Sequence, residues 1–247
     1  MTASLRKTAI LAVLLWECFS SHKVVACNEW KLLEGADTAT ISAMARLDST
    51  PSGALALNRN GYVSIGQQRH TFDLLPLGVL KQQRLLVERA VRIIEFAYSH
   101  QKGDGTFEYS EGKNPAGAVQ SLAFFFSDFG HTLLLLDQSE WFQHSTETQT
   151  LRQKIADVRE KSKRPLACLI SMKGVLEKDV KAANRVFAYS AAFILMGRTV
   201  GDDRAIGGGM EFLGKALAMV RDDGVALENG GFDSAYQGVS LFIGQRH

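Results

Sequence analysis

Two segments of this 247-residue chain align on each other without a gap. Asp104-Gly-Thr-Phe-Glu-Tyr-Ser-Glu-Gly112 matches Asp223-Gly-Val-Ala-Leu-Glu-Asn-Gly-Gly231, position 104 on position 223, an offset of 119 residues. At the same offset Ala116 meets Ala235, Ser121 meets Ser240 and Leu122 meets Leu241. In each copy a helical pattern runs into Asp-Gly, a short polar loop follows, and another helical pattern begins. Gly105 and Gly224 can take positive φ and end a helix at little cost. A repeat of helical hairpins gathers its loops at one end of the array, where binding side chains are mounted on a rigid scaffold. A pair of ordinary helix-to-helix turns is the plainer reading, above all for the first copy.

The remaining periodicity is mostly helical. From Leu77 to Ser99 the apolar residues Leu86, Ala90, Ile93, Ile94 and Ala97 recur at three- and four-residue spacing. Asp73 is placed to cap this helix, and Pro76 suits a first turn. Further helices are predicted over 116–136, over 151–176 with a break at Pro165, and over 181–200. Gly207-Gly-Gly209 is expected to interrupt the chain before another helix at 211–221, and a last helix starts near Ser234. Phe124-Phe-Phe126 and the leucines at 133–136 read as core. Ala54-Leu-Ala-Leu57 and Tyr62-Val-Ser-Ile65 flank Asn60-Gly61, a tight-turn dipeptide, so residues 54–66 are predicted to form a small β-hairpin. The domain organisation predicted is a signal peptide at 1–26, an N-terminal segment with the hairpin at 27–75, and a helical α/α domain at 76–247. The last helix meets His247 with no capping glycine, which suggests either a shortened chain or an end packed on a partner.

The N-terminus is built for export. Arg6 and Lys7 precede an apolar run from Ile10 to Trp16, too short to span a bilayer. Val24-Val25-Ala26 supplies compact residues at a cleavage site, although Glu17, His22 and Lys23 are unusual there and a buried N-terminal helix is the alternative. Removing residues 1–26 takes away Arg6, Lys7, Lys23 and Glu17, leaving 25 of 28 basic and 25 of 26 acidic residues. A neutral domain lacks the footprint of a nucleic-acid binder. Cys18 leaves with the leader, and Cys27 becomes the first residue of a secreted or periplasmic protein. Cys27 then has three fates: a lipid anchor, the one route to a membrane; a disulfide with Cys168; or a free thiol.

The second copy is the richer in chemistry. Glu228-Asn-Gly-Gly-Phe-Asp-Ser-Ala-Tyr-Gln237 concentrates carboxylates, amides and a phenol around an aromatic. Sugars are recognised by planar amides and carboxylates at their hydroxyls and by aromatic faces against the ring. Asp233 or Ser234 can equally cap the last helix. With its helical hairpins and Asp-Gly turns, the stretch from Asp223 to Gln237 resembles the α/α-toroid proteins that process polysaccharides, lyases and glycoside hydrolases among them. That resemblance implies a mainly α fold, helical hairpins in a partial α/α toroid, and a polysaccharide ligand. In a lyase it implies an asparagine that neutralises a uronate carboxylate, with tyrosine and histidine sharing proton transfer. Asn229, Tyr236 and His131 are the matching positions here, although His131 in Phe129-Gly-His-Thr also reads as a core histidine. Substrate binding would fall to Glu228, Asp233 and Gln237, with Tyr109 and Glu111 from the first loop. A hydrolase would instead pair Glu228, Asp233 or Glu111 across roughly 5–10 Å.

Other chemistries lack their signatures. Gly207-Gly-Gly209 is not followed by Lys-Ser/Thr, no Gly-x-Ser-x-Gly elbow occurs, and His70, His100, His131, His144 and His247 show no paired zinc spacing. The sequence leaves the cofactor, and any metal, open. The rival to an enzyme is a noncatalytic envelope protein that binds glycan or protein through the same loop end.

Overall fold

The computed structural model describes residues 49–69, 74–112, 115–233, 236, 237 and 240. The leader, Cys27, Asp73, His70, His247 and most of the last predicted helix lie outside them. The described chain is mainly helical. Its helices are α1 (Leu75–Leu80), α2 (Arg84–Ser99), α3 (Pro115–Gln138), α4 (Glu140–His144), α5 (Gln149–Ser171), α6 (Lys173–Leu176), α7 (Ala183–Val200) and α8 (Asp203–Ala218). Helix α2 buries Val87, Ala90, Val91, Ile93, Ile94 and Ala97 on one stripe. The phenylalanines 125, 126 and 129 of α3 and the small-residue face of α7 complete a core that also takes in Leu55 and Ile65. Helix α3 is long and apolar enough to cross a membrane by composition, and most of it is buried inside the protein.

The repeat is real at the level of hydrogen bonds. Helices α2 and α8 begin and end at positions 119 residues apart. Before them, Gln82 and Gly201 both take left-handed φ, 51° and 73°. The N–H of Gln83 reaches the carbonyl of Gly78 at 2.7 Å, as that of Asp202 reaches Gly197 at 2.9 Å. After them, Lys102 N–H bonds to Thr106 O and Arg221 N–H to Val225 O. Glu108 N–H bonds to His100 O and Leu227 N–H to Met219 O. Gly105 and Gly224 sit at φ of 90° and 83°, where a side chain would be strained. One backbone program thus runs through residues 78–110 and again through 197–229.

Three expectations are corrected. Residues 54–66 do not form a hairpin; they form 3-10 turns at Ala56–Asn60 and, with the residues beyond, at Ile65–Gln68. The buried side chains of Asn58 and Gln68 are the reason. Asn58 Oδ1 accepts from the N–H groups of Val63 (2.7 Å) and Ser64 (3.2 Å), and Gln68 Oε1 accepts from Leu55 N–H (2.8 Å). Those donors are therefore lost to a strand ladder. The chain does not break at Pro165, which sits inside α5. Its ring removes the bond to the Lys161 carbonyl, and Gln101 Nε2 approaches that carbonyl instead at 3.4 Å. Finally, Gly207-Gly-Gly209 lies within α8 rather than before it. A β-carbon on Gly209 would stand 2.6 Å from Ile194 Cγ1 and 2.9 Å from the Ser190 carbonyl. The glycines cost α8 about 1 kcal/mol each in propensity; Gly208 and Gly209 let its backbone rest on α7, while Gly207 faces open space.

Candidate functional site

Helices α3 and α7 run side by side in the same direction. The rings of Phe124 and Tyr189 are 6.3 Å apart, and, further along both helices, Gly130 faces Leu195. Both helices therefore start at one end of the molecule, where α2 and α8 finish. The two Asp-Gly loops meet that end through antiparallel bridges, Tyr109 with Ser64 and Glu228 with Ala182. Matching bonds carry the chain on, Ser110 N–H to Val63 O at 2.8 Å and Asn229 N–H to Lys181 O at 2.7 Å.

Much of the chemistry expected of the second loop is committed to holding it. Glu228 is buried, and its Oε1 accepts from Asn184 N–H (3.0 Å) and Ser240 Oγ (2.9 Å). This puts a carboxylate at the positive end of α7. Gln237 Oε1 accepts from Ala226 N–H at 3.0 Å, and its Nε2 donates to Gly224 O at 3.4 Å, so its amide clamps the Asp-Gly turn. Asp233 takes its place as a cap: its carbonyl accepts Gln237 N–H at 3.0 Å, and its Oδ1 lies 3.4 Å from Tyr236 N. Glu228, Gln237 and Asp233 thus act in structure. What the loop turns outward is Asn229, held at φ 52°, with Phe232 at 62% and Tyr236 at 48% exposure.

The other expected residues divide. Glu111 is exposed and bonds Gln67. Tyr109 lies against the start of α3, with its hydroxyl only 2.1 Å from where a β-carbon on Gly117 would be. It covers an apolar cavity of about 190 Å³, lined also by Phe107, Leu122, Cys168, Leu169 and Met172. Burial, and then Asp104, push the Cys168 thiol up. His131 is not part of the loop end. It is buried in the second half of α3, about 24 Å from that helix's start at 1.5 Å per residue.

A cluster not expected from the sequence stands between the starts of α3 and α7. Asp179 receives Arg185 Nη1 on both oxygens at 3.0 Å, Tyr189 OH at 2.7 Å and Gln120 Nε2 at 2.8 Å. Burial and the bond to Asp179 both push the Tyr189 hydroxyl well above the ordinary phenol range. Burial pulls the Arg185 guanidinium down, but the bond to Asp179 outweighs it and holds the charge. The Arg69 guanidinium lies 5.5 Å over the Phe124 ring, and Tyr236 is within electrostatic reach of Arg185. The available signal was two polar–aromatic pairs at i,i+4, Gln120–Phe124 and Arg185–Tyr189, in the first halves of two largely apolar helices. Among the described residues no group of three His, Cys, Asp or Glu side chains could hold a metal ion.

Comparison with protein-family models, with curated proteins and with solved structures finds no match.

Proposed function

We propose that the loop end binds polysaccharide, in an exported protein whose helical hairpins belong to a partial α/α toroid. One observation carries the reading: the second Asp-Gly loop keeps its own carboxylates and Gln237 for structure while presenting an amide and two aromatic rings to solvent. Planar amides satisfy sugar hydroxyls, and exposed rings stack on the apolar face of a pyranose. The remoteness of His131 favours binding over the three-residue proton-transfer scheme. A lyase remains the second reading because Tyr236, a phenol, lies near the Arg185 cation, with Asn229 in the same loop.

Affinity electrophoresis through gels holding uronic-acid or neutral polysaccharides tests binding. Retardation by at least one polymer is expected, with affinity lowered about tenfold by Phe232→Ala or Tyr236→Ala. Mobility unchanged in every gel would overturn the reading. Incubation with the same polymers separates the two forms of it, since a lyase releases unsaturated, ultraviolet-absorbing ends and a binder releases none.

A further inference from the structure

We infer that the cavity under the first Asp-Gly loop is a second binding site, distinct from the glycan surface of the second loop. Its ligand is a small carbonyl compound, an apolar body the size of one substituted ring carrying one hydrogen-bond acceptor. The repeat reveals the acceptor. The bridges Gln101–Phe107 and Val220–Ala226 are equivalent at the 119-residue offset, so the N–H groups of Phe107 and Ala226 leave their loops in the same direction. In the second copy Gln237 meets that donor, with its Oε1 3.0 Å from Ala226 N. The residue aligned with Gln237 is Ala118, whose methyl group can neither reach nor accept. Among the described residues the Phe107 N–H has no acceptor, although Phe107 is only 6% exposed. A buried donor left unpaired is costly, and a ligand oxygen standing where the Gln237 amide stands in the other copy would satisfy it.

The cavity itself sets the rest of the ligand. Phe107 and Ala118 line it together with Val119, Leu122, Leu169 and Met172, so the body must be apolar. Its volume of about 190 Å³ exceeds the roughly 150 Å³ of an engineered apolar cavity that takes benzene. One ring with a short substituent fits; a sugar, with a hydroxyl on nearly every carbon, does not. The ligand needs no donor of its own. The Gln237 amide also donates to Gly224 O at 3.4 Å, but the equivalent Gly105 carbonyl already accepts from Gln101 Nε2 at 3.3 Å. That difference favours a ketone or an aldehyde over an amide. Cys168, a free thiol in the same wall, can report whether the cavity is filled.

Acetophenone and its hydrocarbon isostere isopropylbenzene are the probes, read by amide NMR and by the rate at which iodoacetamide alkylates Cys168. Acetophenone should shift the Phe107 amide, slow its exchange and slow the alkylation severalfold. Isopropylbenzene, lacking the oxygen, should bind about tenfold more weakly. Ala118→Gln should supply the missing amide from the chain itself, slowing Phe107 exchange without ligand and abolishing the binding of both probes. If that variant does not fold, the two probes on wild type still decide. Neither probe bound at millimolar concentration, equal affinities for the two, or a Phe107 amide already slow to exchange in the free protein would overturn the inference. Acetophenone binding retained by folded Ala118→Gln would overturn it too.

Discussion

The first Asp-Gly loop closes over an apolar cavity, whereas the second stands beside a charged cluster and opens to solvent. Their backbones share the hydrogen bonds of the Asp-Gly turn; the second adds a Glu228–Gly231 pair beyond it, and the side chains differ most at two aligned positions. Where the first copy has Tyr109 and Gly117, the second has Glu228 and Tyr236. In the first, the loop supplies the ring and the helix yields room for it. In the second, the loop supplies a buried carboxylate that anchors α7, and the aromatic residue has moved to the helix side, where it is half exposed. Exchanging the large and small partners turns a lid into a surface without altering the turn that carries it.

Substitutions at those positions should break the comparison in a definite order. Glu228→Ala strands the Asn184 N–H and removes an anion from the start of α7, at a cost of about 2–4 kcal/mol. By thermal denaturation the melting temperature should fall by roughly 5–15 °C; a loss within error would deny Glu228 its anchoring role. Gly117→Ala drives a β-carbon against the Tyr109 hydroxyl and should cost about 1–3 kcal/mol. The double variant with Tyr109→Ala should recover most of the part due to that clash, and additive losses would show that the two do not compete for space. Gln237→Ala unclamps the second turn by leaving the buried Ala226 N–H without its acceptor, at about 1 kcal/mol, measurable as faster amide exchange at Ala226 before any change in global melting.

The smallest effect is one of pH. The hydroxyl and N–H of Thr106 hold the Asp104 carboxyl below the usual carboxylate range. A depressed folded value means the ionised side chain favours the folded turn above the unfolded value of about 4, and that this contribution is lost as pH falls through the lower folded value. Carboxyl titration by NMR should find Asp104 below the random-coil value, with the first loop loosening only in acid. A titration at or above that value would deny the turn its Asp104 cap.

The sequence disclosed the elements that depend on local pattern. The 119-residue offset, the Asp-Gly turns and the long helices α2, α3 and α7 follow from periodicity and from glycines that the turns require. What it hid depends on partners far along the chain. Pro165 stays within α5 where Gln101, sixty-odd residues earlier, approaches the orphaned carbonyl. The hairpin at 54–66 loses to Gln68 and Asn58, whose side chains occupy the strand donors. The glycines at 207–209 look like a break until α7 is set against Gly208 and Gly209. In the site, Asn229 and Tyr236 were legible as loop chemistry, but Arg185 and Asp179 become partners of that loop only once α3 and α7 are known to run in parallel.

Backbone chemical-shift mapping with a short oligosaccharide of a retarding polymer tests the central claim, that one turn closes over a cavity and the other opens as a glycan-binding surface. Perturbations should concentrate on Asn229, Phe232 and Tyr236, while residues 104–112 stay still. Equal perturbation of both loops, or shifts confined to the first, would contradict the account.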